Sequence, residues 1–168
     1  FLEEAGLRAQ SIQALIVKRE VLQENDIKMV EGAAGQDTLF FQEVMLHCNK
    51  ALAKNVYVHM YYAFVEGSVT NTLGVKFFDK YHKLEIERIK FLEENNLMKT
   101  YLEKRFNFYV KNWYISKIER TRPEEREEAI LKFLEIYSMY DKYKRYREPD
   151  IDLDRMIEEL KKEVNHSN

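Results

Sequence analysis

From residue 73 onward the apolar positions recur at helical spacing. Leu73, Phe77, Phe78, Tyr81, Leu84, Ile89 and Leu92 form a broad apolar face with one slip near Ile86, predicting a long amphipathic helix. Leu102, Phe106, Tyr109 and Trp113 follow at i, i+4, i+7 and i+11, the stripe of a second helix. Thr121-Arg-Pro-Glu124 reads as a capping box, in which the Thr hydroxyl accepts from the Glu124 amide while the Glu carboxylate reaches back. The helix it opens carries Ile130, Phe133, Leu134, Tyr137 and Tyr140. A last helix, from about Asp152, carries Leu153, Met156, Leu160 and Val164. About four helices are expected, as an antiparallel bundle or a layer against the preceding part.

Before residue 73 the pattern is mixed. Ser11 to Val17 is a short apolar run that predicts a buried strand, and Lys18 to Asn25 predicts one or two helical turns. Glu31-Gly-Ala-Ala-Gly35 predicts a loop. A helix is expected from Asp37 to about Asn49. Val56 to Val65, β-branched and aromatic throughout, predicts a strand. All five glycines (Gly6, Gly32, Gly35, Gly67 and Gly74) lie before residue 75, so architecture is expected to change near Asn71–Gly74. The expected fold class is α+β and predominantly helical: an α/β segment over residues 1–72 and a helical part over 73–168.

Composition narrows the classes. The 168 residues are 45% hydrophobic, too apolar for a disordered segment. With 27 Lys+Arg against 29 Asp+Glu, an overall basic, nucleic-acid-binding composition is excluded. No apolar run approaches the ~18 residues of a membrane span. The one cysteine, Cys48, cannot form an internal disulfide, which fits a reducing compartment. His47, His59, His82, His166 and Cys48 lack zinc-site spacing, and no metal site is expected. Neither a glycine-rich phosphate loop nor a Gly-X-Ser-X-Gly elbow occurs.

Three patterns could carry chemistry. Asp37 follows a glycine turn at the start of a helix, where backbone amides and the helix dipole favour an ionised carboxylate. Such a group can take a proton from a hydroxyl, and it can equally be a plain helix cap. Asp150-Ile-Asp152-Leu-Asp154 has the spacing of an oxygen-ligand cation site. It stands at the start of an amphipathic helix rather than the end of a strand, so dipole and capping chemistry is expected there. Tyr140-Asp-Lys-Tyr-Lys-Arg-Tyr-Arg147 interleaves aromatics with cations, either a phosphate- or sugar-gripping surface or the solvated end of a helix.

The order of segments carries a resemblance. An apolar run leads into Val17-Lys-Arg-Glu-Val-Leu-Gln-Glu-Asn-Asp-Ile27, then a Gly-rich loop, then Gln36-Asp-Thr-Leu-Phe-Phe-Gln-Glu43, then Val56–Val65 and Glu66-Gly-Ser-Val-Thr70. Over about Ser11 to Asn71 this resembles the C-terminal part of the catalytic domain of bacterial family 2 glycosyltransferases. The resemblance implies a GT-A-type fold and an inverting transfer of sugar from a nucleotide-sugar to a glycan or other hydroxyl acceptor, as in bacterial polysaccharide or surface-glycan synthesis. It implies Asp37 as the general base, with Gln36, Glu66 and Ser68 at substrate-binding positions. Gln36 replaces the family's usual acidic residue, and Val65 an Arg.

The family's N-terminal donor-binding half, with its strand-end Asp-X-Asp, has no counterpart here. The chain alone is therefore expected to be inactive and to hold no cofactor. A divalent metal (Mg or Mn) is expected for the full-length enzyme. The resemblance further implies a cytoplasmic location, at most peripheral to the inner face of the membrane, with Lys142–Arg147 the expected contact surface. The alternative reading is a non-catalytic helical interaction or oligomerisation module, whose partner would be a second copy or another protein.

Overall fold

The computed structural model describes residues 1–9, 11–58, 60 and 71–165. Among the described residues before position 70, the α-helices are α1 (Arg19–Glu24) and α2 (Gln36–His47). A long helix, α3 (Gly74–Glu94), then turns back through Asn95 and Asn96 into a second helical run over residues 98–119, here α4. Next come α5 (Pro123–Ser138), a 3-10 segment (Asp141–Tyr146) and α6 (Ile151–Asn165). Helix α3 packs chiefly on α5, and α5 on α6. One core joins them, with Phe77, Phe78, Leu84, Leu92, Ile130, Phe133 and Leu153 almost wholly excluded from solvent. The expected helical half is present. The slip at Ile86 is an exposed position.

Helix α4 departs from a regular α-helix in an instructive way. Leu102–Phe106 and Val110–Ile115 are π-helical, separated by a short α turn (Asn107–Tyr109). The buried row is Leu102, Phe106, Val110, Tyr114 and Ile118, an uninterrupted spacing of four. In an α-helix of 3.6 residues per turn that row would drift about 40° at each step and leave the core. The i→i+5 bonds of π turns place more residues in each turn, which keeps the row straight. Tyr109 and Trp113 are consequently only half-buried, in a neighbouring row of the same spacing: Arg105, Tyr109, Trp113 and Lys117. The stripe expected from the sequence thus mixed two rows.

Two further expectations are corrected. Thr121 does not close a capping box. Its hydroxyl donates to the Lys117 carbonyl (2.8 Å) and accepts from the Gly74 amide (3.3 Å), while α5 begins at Pro123, whose missing N–H removes one amide that would need a cap.

The strands are also absent among the described residues. Ile12–Ala14 is a single 3-10 turn, Leu15 is extended, and Ile16 is fully exposed. Val56, Tyr57 and Val58 are exposed and unladdered. The rest of that expected strand, apart from exposed Met60, lies outside the described residues, as do Glu66 and Ser68. β-branched and aromatic runs become strands where a neighbouring strand supplies ladder bonds, and none of the described segments does so. The described fold is predominantly helical, and the GT-A-like α/β segment finds no support in it.

The helical core also encloses charge. Glu85 and Arg88, on the face of α3 that carries Tyr81 and Leu92, are buried as an ion pair. Glu85 accepts as well from the hydroxyls of Tyr114 and Tyr140. Arg88 lies against the rings of Tyr109 (4.9 Å to the centroid) and Tyr101 (5.8 Å). Burial pushes the phenols of Tyr101, Tyr114 and Tyr140 above the ordinary tyrosine range, and the Glu85 carboxylate adds to it.

Candidate functional site

Gly35, in the left-handed region at φ 71°, is the N-cap of α2 and turns the chain into the helix. Gln36, Asp37 and Thr38 form the first turn, each half-buried. The helix is fixed by burial of Leu39, Phe41 and Val44 and by Gln42, whose amide donates to the Leu7 carbonyl (2.7 Å). The turn before it rests on α3, where the Ala34 amide meets the Lys80 carbonyl at 3.5 Å. The Tyr81 phenol lies over Gly35, 2.5 Å from where a Cβ would stand. Asp37, expected as the cap, is therefore two residues past it, in the first turn of a well-anchored helix.

The opposite wall is α4. A cleft of about 640 Å³ lies between the start of α2 and the row of α4 that its π turns hold beside the core. Asp37 and Gln36 line it on one side; Arg105, Phe108, Tyr109 and Trp113 line it on the other, with Asn112 beside them. Tyr81 forms part of the floor, its ring 6.3 Å from that of Trp113. Burial pushes the Tyr81 phenol above its ordinary range and Tyr109 adds to this, while the facing Trp113 indole N–H opposes it. That N–H faces the phenol without completing a hydrogen bond within the protein, and Gln36 Oε1 is likewise buried and unbonded. Behind Trp113, the Lys117 ammonium sits 5.0 Å from its ring and from that of Phe77 and donates to the Thr72 carbonyl. Burial lowers the Lys117 pKa, and Arg120 lowers it further.

The cleft brings together a carboxylate able to accept a proton, a hydrogen-bond donor, an acceptor, a guanidinium and several aromatic faces. That combination suits a hydroxylated ring: the aromatics cover its C–H face and the polar atoms meet its hydroxyls. Of the expected site residues, Asp37 and Gln36 are brought together here. The α4 residues were not anticipated from the sequence.

The other two patterns take structural roles. Asp150 accepts from the Leu153 amide (3.0 Å) and from Lys111 (3.1 Å), and the Leu153 amide foremost holds its carboxyl below the ordinary range. Asp152 meets Arg155 and Asp154 meets Arg147, as expected of first-turn acids. No group of three or more metal-ligating side chains occurs among the described residues. In the basic tyrosine segment, Lys142 and Tyr143 both donate to Glu93, and Arg147 donates to the Tyr137 hydroxyl (3.1 Å). Lys144 and Arg145 remain exposed there. No described helix is long and apolar enough to cross a membrane. Comparison with models of known protein families, with curated proteins and with solved structures finds no match.

Proposed function

We propose that this chain is the acceptor-binding end of an inverting glycosyltransferase of the family 2 type, with Asp37 as general base. The observation that carries the reading is the position of Asp37 in the wall of a cleft whose other wall is aromatic. A sugar bound there would present a hydroxyl to Asp37. The carboxylate would take the hydroxyl proton as the oxygen attacks the anomeric carbon of a nucleotide-sugar, displacing the nucleotide with inversion. The donor-binding half, a divalent metal to stabilise the departing diphosphate and the GT-A-type sheet belong, in this reading, to the complete enzyme. Several apolar residues before the long helices are exposed, Ile16, Leu52, Val56, Tyr57, Val58 and Met60, and in this reading they would pack against that half. The same exposed side chains favour the second reading, an association module, in which they meet a partner protein or a second copy.

The test is Asp37→Asn in the complete enzyme. Transfer is expected to fall by about 10²–10⁴-fold in kcat/KM, the usual contribution of a general base. Thermal unfolding should be nearly unchanged, because the amide keeps the side chain's shape. Sugar transfer at the wild-type rate by this variant would remove Asp37 from the mechanism and leave the association reading in its place.

A further inference from the structure

The α4 wall of the cleft bears on which acceptor is taken, a question that rests on the glycosyltransferase reading. Arg105 lines the cleft with its guanidinium 5.2 Å from the centroid of the Phe108 ring. Several other cations of this part sit on carboxylates, among them Arg88 on Glu85, Lys111 on Asp150, Arg126 on Glu163 and Arg147 on Asp154, while exposed ones such as Lys76 and Lys90 have no ion pair with a described residue. Among the described residues Arg105 has no carboxylate within 4.0 Å, Asp37 of the same cleft included. A guanidinium stacked on an aromatic ring keeps its plane fixed and its N–H fork open, the arrangement that receives a carboxylate or phosphate through paired hydrogen bonds. Beside it stand Tyr109 and Trp113, and Phe108 keeps 58% of its surface exposed on the same wall. The Trp113 indole N–H, which faces the Tyr81 phenol, and Gln36 Oε1 are buried at the base of this wall without a completed hydrogen bond.

We infer that the cleft takes an acidic sugar, its ring against the aromatic residues of α4 and its anionic substituent on Arg105, so that the helical part selects the acceptor. Asp37 and Arg105 then divide the work. The carboxylate meets a neutral hydroxyl and repels an anion, while the guanidinium draws the charged substituent to the α4 side. This orients the ring before any donor is present.

Trp113 is the only tryptophan in the chain, so its emission reports the cleft directly. The test titrates the 168-residue chain with glucose, glucuronate, glucose 6-phosphate and inorganic phosphate, following Trp113 fluorescence. One or both acidic sugars should give a saturable change, at least tenfold tighter than glucose. Which of the two binds tighter identifies the substituent as carboxylate or phosphate. Arg105→Gln should lose that preference by about tenfold or more with an unchanged melting temperature, since the side chain is only half-buried. Phe108→Ala, an exposed position, should weaken binding without altering the fold.

Equal affinity for glucose and the acidic sugars overturns the inference, as does an Arg105→Gln variant that keeps the preference. Inorganic phosphate binding as tightly as glucose 6-phosphate overturns it too, because the ring would then contribute nothing. No saturable change with any probe would have the same meaning. These outcomes are separate from the catalytic reading, because binding here requires no turnover. An Asp37-dependent enzyme without acidic preference refutes the inference alone. Acidic binding in an enzyme indifferent to Asp37→Asn refutes the mechanism alone.

Discussion

Gly35 shows how much of the site rests on one backbone position. Its positive φ disfavours every L side chain by roughly 1–2 kcal/mol, and a Cβ there would also stand 2.5 Å from the Tyr81 hydroxyl and 2.9 Å from its ring. Tyr81 is 3% exposed and has little room to move. Gly35→Ala is therefore expected to lower stability by more than about 2 kcal/mol and to shift Trp113 emission through displaced Tyr81. Gly32 has the same φ but meets only the mobile end of Lys83 at 3.5 Å, so Gly32→Ala should cost about 1 kcal/mol and leave emission unchanged. Denaturant titration of the two variants checks both. Asp37 was legible in the sequence because a glycine turn followed by an acid marks a helix start within a few residues. Arg105 and Trp113 were not, because they reach Asp37 only through the folding of α3 and α4 between them. Glu85 and Arg88 were legible in principle: opposite charges three residues apart, on a face that also carries Tyr81 and Leu92, belong to a buried pair rather than to a solvated face.

At the scale of elements, α4 is where sequence periodicity misleads and then explains itself. A search at 3.6 residues per turn selects Leu102, Phe106, Tyr109 and Trp113, whereas the chain has a four-residue apolar row that only a widened helix can bury. The row that remains at the edge of the core becomes the cleft wall, so the π turns create the site as well as the packing. Deleting Asn112 would turn everything beyond it by about 100° and carry Tyr114 and Ile118 out of the core. Such a variant should lose cooperative unfolding by circular dichroism. Replacing the same exposed residue by Ala should change stability by no more than about 0.5 kcal/mol. The strand expected over Ser11–Val17 failed for a different reason. A strand is a property of a pair, and β propensity says nothing about whether the partner segment is present.

The whole molecule responds to alkali through its buried phenols. Tyr81, Tyr101, Tyr114 and Tyr140 are raised above their ordinary value, burial being the first cause in each. In the unfolded chain they ionise near pH 10, while in the folded protein they remain neutral. Above that pH the folded state binds more protons than the unfolded one, so stability is full below about pH 10 and falls as pH rises through the folded values. Each such tyrosine contributes about 1.4 kcal/mol per pH unit to the slope. Chemical denaturation at pH 8, 9.5 and 11 should give similar stabilities at the first two and a loss of several kcal/mol at the third. A flat profile would mean that these phenols ionise inside the fold as freely as outside it.

The bond between the Gly74 amide and Thr121 has a topological consequence. It fastens the first residue of α3 to the turn after α4, and Lys117 adds a second fastening to the Thr72 carbonyl. The α3–α4 hairpin thus leaves the rest of the chain and returns to it at nearly the same point. A segment whose two ends coincide can be exchanged as a cassette with little rearrangement at its borders. One arm of this hairpin carries the aromatic wall facing Asp37 and the other carries Lys80 and Tyr81, which hold the turn before Asp37, so exchanging it would alter both sides of the cleft at once.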